Sequence, residues 1–244
     1  MVSKNVEVCS LGDLPEFYHR SHGFLKLERQ FLNQRIAAAD FSNHSSRMLD
    51  LACGTGRLNK LLGNYLGLIS LDISFPMLRY NKSSSSGQFL VQSNALHLPF
   101  KDNLFKLVVL SMNSITCFTN DQIVALFQEI KRVLSDDGVL IFDQINPKFI
   151  HFELSFEPVL TDGSFKASER LGPQSINGAR LLERRYEMNI GEQFFVEELV
   201  TLHDKKLLYE KALSAGFNQC TIWDGYTKSI AHKQSSRWVF ELRA

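Results

Sequence analysis

Apolar residues follow three different rhythms along this chain. Between residues 12 and 45, Phe24, Leu27, Phe31, Leu32 and Ile36 recur at steps of three and four, the spacing of one helix face. From 47 to 146, short apolar runs alternate with amphipathic stretches. Residues 48–53, 68–73, 89–92, 107–112 and 139–145 are strand-like and bounded by turn residues. Residues 58–65, 76–81 and 121–134 lie between them as helices, the last with Ile123, Leu126, Phe127, Ile130 and Leu134 on one side. Near-continuous apolar strands separated by helices predict a parallel sheet covered on both faces, with right-handed crossovers.

After residue 147 the texture changes. Residues 181–190 and 194–202 flank Gly191-Glu192 and predict an antiparallel pair. Residues 203–215 predict a helix that Gly216 stops. The strand candidates 217–223 and 237–242 leave no room for a long helix between them, so they are expected to pair antiparallel at the sheet edge. The fold expected is α/β and doubly wound. Its sheet is seven-stranded and mostly parallel with an antiparallel final strand, and an antiparallel β insertion follows the fifth strand. The expected divisions are a helical lid segment (1–45), a core (46–146), an antiparallel cap (147–202), and a closing helix and hairpin (203–244).

Composition narrows the partners. With 44% hydrophobic and 22% charged residues, the 244-residue chain is an ordinary globular sequence. Its 27 Lys and Arg nearly balance 26 Asp and Glu, so it lacks the cation excess of a nucleic-acid binder, and no nucleic acid is expected. Cys9, Cys53, Cys117 and Cys220 form no CxxC or Cys/His ligand spacing and read as reduced thiols; no metal is expected. No apolar stretch reaches the ~20 residues that span a bilayer, and the first residues lack the apolar run of a secretory signal. The expectation is a cytoplasmic protein without membrane contact. The 19 Phe residues, many after 141, either fill cores or line a pocket for something flat or greasy.

The chemistry starts at Met48-Leu-Asp-Leu-Ala-Cys-Gly-Thr-Gly-Arg-Leu58, a strand, a glycine turn and a helix start. Gly54 and Gly56 allow a tight turn and close approach of a ligand to the backbone. The helix that follows offers free N–H groups at a positive dipole end. Asp50, near the end of the strand, would repel a diphosphate but pair with an ammonium. Asp72, at the end of the next strand, can accept both hydroxyls of a ribose. A dinucleotide fingerprint would carry a third glycine where this chain has Asn59. Both departures point to an adenosine with a cationic amino-acid tail. A tight turn with Asp72 as a helix cap is the plainer alternative.

Asp50-Leu-Ala-Cys-Gly-Thr-Gly56 with Leu71-Asp72-Ile73-Ser74 resembles the S-adenosyl-L-methionine (SAM) site of class I methyltransferases. The likeness continues through Asn94-Ala-Leu-His-Leu-Pro-Phe100, Asn103-Leu-Phe-Lys-Leu-Val-Val109, Glu129-Ile-Lys-Arg-Val-Leu134 and Asp137-Gly-Val-Leu-Ile-Phe142, in that family's order. The resemblance implies SAM as cofactor. It sets Ala52, Cys53, Gly54 and Gly56 along the methionine portion, with Asp50 near its amino group. Asp72 would take the ribose, and Ile73, Met77, Ala95 and Leu96 would lie by the adenine. Asn94 stands where the family commonly has Asp to accept from the adenine amino group; its side-chain oxygen can still accept. Ser111, Met112 and Asn113 would face both cofactor and acceptor. Cys53 beside a sulfonium reads as turn filler and not as a nucleophile.

The resemblance implies methyl transfer by in-line displacement to a nitrogen or oxygen of a small-molecule acceptor. The tail after the fourth core strand, Ser111-Met-Asn-Ser-Ile115, lacks the Asn/Asp-Pro-Pro-aromatic signature of enzymes that methylate the exocyclic amines of nucleic-acid bases. Candidate general bases are His151, His203, Tyr18 and His19, with Arg20 beside them; for each, a structural or surface polar role is the alternative. His97 reads as structural. Phe149, Phe152, Phe156, Tyr186, Phe194 and Phe195 are candidate cap linings, half of which strand alternation should send to the sheet core. The insertion is also the expected surface for a homodimer. Other readings stay open: a nicotinamide-dependent dehydrogenase, a SAM-binding regulatory or scaffold protein without turnover, or a methyltransferase of a peptide or tRNA.

Overall fold

The computed structural model describes residues 8–9, 15, 26–38, 47–62, 67–84, 89–149, 154–156, 165–174, 180–190 and 192–244. In chain order these form β1 (Val8–Cys9), α1 (Lys26–Ala38), β2 (Met48–Leu51), α2 (Arg57–Leu62), β3 (Leu68–Asp72), α3 (Phe75–Ser84) and β4 (Phe89–Gln92). Next come β5 (Phe105–Leu110), a 3-10 turn (Ser114–Cys117), α4 (Gln122–Val133), β6 (Leu134–Ile145) and a second 3-10 turn (Pro147–Phe149). The chain closes with β7 (Leu154–Phe156), β8 (Phe165–Gln174), β9 (Arg180–Ile190), β10 (Glu192–Leu202), α5 (Lys205–Ser214), β11 (Gln219–Asp224) and β12 (Arg237–Arg243).

One sheet of seven strands runs in the order β11-β12-β6-β5-β2-β3-β4. Strands β2 to β6 are mutually parallel, and β12 is antiparallel to both β6 and β11. From β2 the chain first winds outward through β3 and β4, then crosses back to β5 on the other side of β2. That reversal opens a crevice at the carboxyl ends of β2 and β5, where open α/β sheets bind ligands.

The two faces of the sheet carry separate cores. On one, Ile123, Leu126, Phe127 and Ile130 of α4 are fully buried, as their spacing predicts. Phe127 meets Phe142 at 5.5 Å between ring centroids, and Phe142 stacks on Phe240 at 4.5 Å. On the other face, Phe31 and Leu32 of α1 pack with Met48, Val109, Ile141 and Val239. Here the sequence reading is off by one residue. Leu27 is 54% exposed, and Glu28 takes the buried position in the stripe because Arg57 answers its charge.

Arg132 and Glu129, on the outer side of α4, fix the loop that follows β4. Arg132 donates to the carbonyls of Leu98 and Phe100 at 3.0 and 2.8 Å and to Glu129 and Asp102, while Glu129 accepts from the Leu98 N–H at 2.7 Å. Residues 94–100 are thereby set against the sheet's carboxyl edge.

Beyond β6 the expected antiparallel pair is the middle of a larger unit, a five-stranded sheet in the order β1-β10-β9-β8-β7. β8, Phe-Lys-Ala-Ser-Glu-Arg-Leu-Gly-Pro-Gln, has too little alternation and too many breakers to read as a strand alone; it pairs with β9 instead. By register, Phe156, Tyr186 and Phe194 fall on one face of this sheet and Phe195 on the other. Val200 and Leu202, at the end of β10, pack on Ile145 at the end of β6, which joins this sheet to the carboxyl edge.

His203 corrects an expectation. It is fully buried, with Nδ1 2.7 Å from Asn120 Oδ1 and Nε2 3.1 Å from the Ile115 carbonyl. Its backbone exchanges hydrogen bonds with the Gln144 side chain at 2.8 and 3.0 Å. The ring therefore braces the 3-10 turn from behind and does not reach a cleft. Tyr18, His19, Arg20, His151 and Phe152 lie outside the described residues.

Burial pushes the His203 imidazole down to about 4. The unfolded chain then binds the extra proton between that value and the ordinary 6.5, so this group stabilises the fold fully above 6.5 and loses its contribution as pH falls toward 4. Comparison with His203→Gln cancels every other titrating group. The stability gap between wild type and variant should widen as pH rises from 4 to 6.5, by up to about 1.4 kcal/mol per pH unit, then flatten. Urea unfolding at stepped pH reads it, and a pH-independent gap contradicts the assignment.

Candidate active site

The turn from β2 into α2 forms because the chain must reverse within the five residues between Leu51 and Arg57 at the sheet edge. Ala52, Gly54 and Gly56 take φ of 56°, 52° and 81°, the left-handed region. For Ala52 this is strain stored at the mouth of the crevice. Gly56 serves packing more than ligand approach: a Cβ there would stand 2.1 Å from Asn81 Oδ1 of α3. Gly54 instead lines the crevice, and its N–H donates to Asp72 Oδ2 at 2.7 Å.

A cleft of about 450 Å³ lies over β2, β3 and the loop after β4, a volume suited to a nucleoside-sized ligand. Ala52, Gly54, Asp72, Ile73, Met77, Asn94, Ala95 and Leu96 line it, as the sequence suggested. A narrower cleft continues from it past Ala52 and Ser114 toward Asp50, Cys53, Ser111 and Met112. Asn113 lines neither. Its Oδ1 accepts from the Ile145 N–H at 2.7 Å and from Arg237 at 3.1 Å, so it clamps the loop after β5 to β6 and β12.

Sequence reasoning missed the far wall. Ser114, Cys117 and Phe118, with Gln122 from the start of α4, close the wide cleft opposite Ile73 and Met77. A single 3-10 turn has no periodicity to betray it. Arg57 was also missed, although a cation directly after a glycine turn, at the positive end of a helix, calls for an acidic partner. That partner is Glu28, the one carboxylate in the apolar stripe of α1. Arg57 Nη1 and Nη2 meet its two oxygens at 2.5 and 2.7 Å, and Nη2 also reaches Ser111 Oγ at 2.8 Å.

The electrostatics divide the cleft. Asp50 is fully buried and its Oδ2 has no hydrogen-bond partner among the described residues. Burial, the largest cause, pushes its carboxyl up to about 8; Arg57 pulls it down, and Asp72 and Glu28 push it up further. Asp72 is also raised by burial, but the N–H groups of Ser74 and Gly54 oppose this. Each Asp72 oxygen holds one backbone N–H, at 2.9 and 2.7 Å, and keeps lone pairs for further donors. Burial and the nearby Asp50 and Asp72 lift the Cys53 thiol well above its ordinary value, so it stays protonated and is no nucleophile. Burial opposes the Arg57 charge, yet the Glu28 carboxylate outweighs it and keeps the guanidinium protonated.

These residues fit SAM. Asp50 Oδ2 awaits a cation where the amino-acid tail's ammonium would stand, and Asp72 has acceptors left for two ribose hydroxyls. Asn94 Oδ1 accepts the Leu96 N–H at 2.9 Å and retains a second lone pair for an adenine amino group. A diphosphate in the narrow cleft would face Asp50, with Arg57 already paired to Glu28. Among the described residues there is no cluster of metal-ligating side chains and no helix long and apolar enough to cross a membrane.

Comparison with known proteins agrees with this geometry. Residues 49–142 match a family model described as a methyltransferase domain. The putative methyltransferase YqeM of Bacillus subtilis is 26% identical over 81% of this chain and 83% of its own. The ubiquinone/menaquinone biosynthesis C-methyltransferase UbiE of Wigglesworthia glossinidia brevipalpis is 36% identical over 43% of this chain and 41% of its own. The chain spans less than half the length of several curated relatives it matches, UbiE among them. In fold it is similar to the sugar N-methyltransferase KedS8 from Streptoalloteichus, with a TM-score of 0.72, 16% identity, and coverage of 98% of this chain and 97% of that one. With its glycine turn, its Asp50 and Asp72 carboxylates and a strand order closed by an antiparallel β12, the chain has the fold of the class I SAM-dependent methyltransferases, and its residues 49–142 match a methyltransferase domain.

Proposed function

We propose that this protein transfers a methyl group from SAM to a nitrogen or oxygen of a small-molecule acceptor. The observation that carries the cofactor half is the buried Asp50 oxygen, without a hydrogen-bond partner among the described residues, at the end of a nucleoside-sized cleft. Such an oxygen suits an adenosine with an ammonium tail and opposes one with phosphates. When bound, the sulfonium supplies an electrophilic methyl whose leaving group departs as a neutral thioether, so no acid is required. The chain's own work is to bind, align and keep water out. Asp50 and Asp72 would fix the two ends of the ligand, and Ile73, Met77, Leu96 and Phe118 would wall the purine.

The acceptor would approach over the carboxyl ends of β5 and β6, past Ser111 and Met112. The sheet of β7 to β10 would cap that side, and residues 1–45 would act as a lid. Support for a small acceptor comes from the balanced net charge of +1 and from the fold shared with a sugar N-methyltransferase. With His203 engaged in the wall, an amine acceptor that is neutral when it reacts needs least from the protein. The relationship to UbiE favours a second reading, methylation at carbon. An acceptor screen with labelled SAM, followed by product analysis, separates the readings: label on nitrogen or oxygen supports the first and label on carbon the second. Tight cofactor binding with no labelled product from any acceptor refutes both in favour of a SAM-binding protein without turnover.

Asp72→Ala should weaken S-adenosylhomocysteine binding by about 1–3 kcal/mol, roughly ten- to a hundredfold, through hydrogen bonds lost to the ribose. The deficit should shrink for an analogue lacking both ribose hydroxyls; an equal deficit for the two ligands argues that Asp72 serves only the turn.

Asp50 makes binding pH-dependent. Its carboxyl is protonated at neutral pH in the empty protein and must ionise to hold an ammonium, so binding releases a proton. Affinity for S-adenosylhomocysteine should rise with pH up to about 8, near which the ligand's own amino group begins to lose its charge. Titration calorimetry in buffers of different ionisation heat should find net proton release near pH 7. Asp50→Asn should abolish that release.

A further inference from the structure

Arg57 has two carboxylates to choose from. It shares the narrow cleft with Asp50, and its charge acts on that carboxyl. Among the described residues its hydrogen bonds nevertheless all go elsewhere: both amino groups to Glu28, at 2.5 and 2.7 Å, and one also to Ser111 Oγ, at 2.8 Å. Glu28 and Arg57 are 0% and 6% exposed, so water does not screen this choice. A planar guanidinium held at three points by one acid and one hydroxyl cannot also turn its fork to a second acid. The consequence is visible at Asp50, whose Oδ2 lacks a hydrogen-bond partner among the described residues.

Without the Glu28 charge, the buried guanidinium would be left uncompensated beside Asp50. A buried cation recruits the nearest anion, and an Arg57–Asp50 pair would occupy the place that a ligand's ammonium needs. We propose that Glu28 is a positioning residue for cofactor binding: by holding Arg57, it keeps Asp50 available for the amino group of SAM. The covering helix α1, none of whose residues lines the cleft, thereby sets the site's preference for an adenosine that carries an amino-acid tail. Because Arg57 also holds Ser111, the same contact ties the loop on the acceptor side to α1. The proposal rests on the cofactor reading above and adds to it a role for a residue outside the cleft.

The test compares two thioether nucleosides on the full chain by calorimetry: S-adenosylhomocysteine, which has the amino-acid tail, and 5′-methylthioadenosine, which lacks it. Glu28→Gln should weaken S-adenosylhomocysteine binding about tenfold or more, the loss of a charge-assisted contact, and leave 5′-methylthioadenosine within about twofold. Proton release on S-adenosylhomocysteine binding should also vanish, because Arg57 would already hold Asp50 ionised. Glu28→Gln combined with Arg57→Gln removes the competitor and should restore the preference for the tailed ligand. Should Glu28→Gln fail to fold, the double variant decides by the same ratio. Equal weakening of both nucleosides in Glu28→Gln, no weakening of either, or a double variant that still fails to discriminate overturns the proposal. Failure of the wild-type protein to bind either nucleoside overturns the cofactor reading itself.

Discussion

A carboxylate oxygen buried in an apolar sheet without a donor is costly to charge, and among the described residues Asp50 Oδ2 stands in that position at the end of an interior strand. Much of the site follows from it. In the empty protein the group avoids the cost by holding a proton; with a cation beside it, the charge becomes affordable. The neighbourhood is arranged so that this cation is not an internal one. Arg57 is committed to Glu28 and Ser111, while Asp72 is committed to the N–H groups of Gly54 and Ser74. The cleft is thus short of one positive charge at one end and rich in hydrogen-bond acceptors along its side. An adenosine with an ammonium tail answers both conditions.

The polar edge continues along the same face of the sheet, where it serves rigidity and not binding. Asp143 of β6, fully buried, accepts from the Tyr226 hydroxyl at 2.8 Å and from Arg237, which also donates to Asn113. Met112 and Asn113 are both left-handed, at φ of 58° and 61°. Such a bend after a strand persists only if its surroundings hold it, and the Asn113 side chain bonded to Ile145 and Arg237 does so. The loop after β5 is therefore built from fixed parts. The methyl transfer proposed above would need that kind of floor, because the rate of a displacement depends on alignment more than on proton transfer.

The central sheet was legible because each of its strands is a short, nearly unbroken apolar run. A strand buried on both faces has no other composition available to it. The glycine turn and the two acids were legible for a similar reason: few residue types meet the demands of those positions. The strands β7 and β8 were not. Their sequences are mixed, and pairing with a longer neighbour gives them a shape that their own propensity does not. Helix α1 was found with Phe31 and Leu32 buried as expected, but Glu28 and not Leu27 completes the stripe, since an acid inside an apolar stripe reads as an exposed residue until its partner is known.

The order of apolar runs, the turn at residues 52–56 and the acids at its flanks were settled by the amino-acid sequence alone, because they obey local rules of burial, backbone freedom and charge. The commitments of the polar groups were decided only by the tertiary structure. Arg57 meets Glu28 across 29 positions of chain, His203 reaches Asn120 across 83, and Asn113 reaches Arg237 across 124. Hydrogen bonds carry no trace in the spacing of residues that far apart. Which charges are spent inside the fold and which are left for a ligand is a property of the folded arrangement, where distance through space replaces distance along the chain.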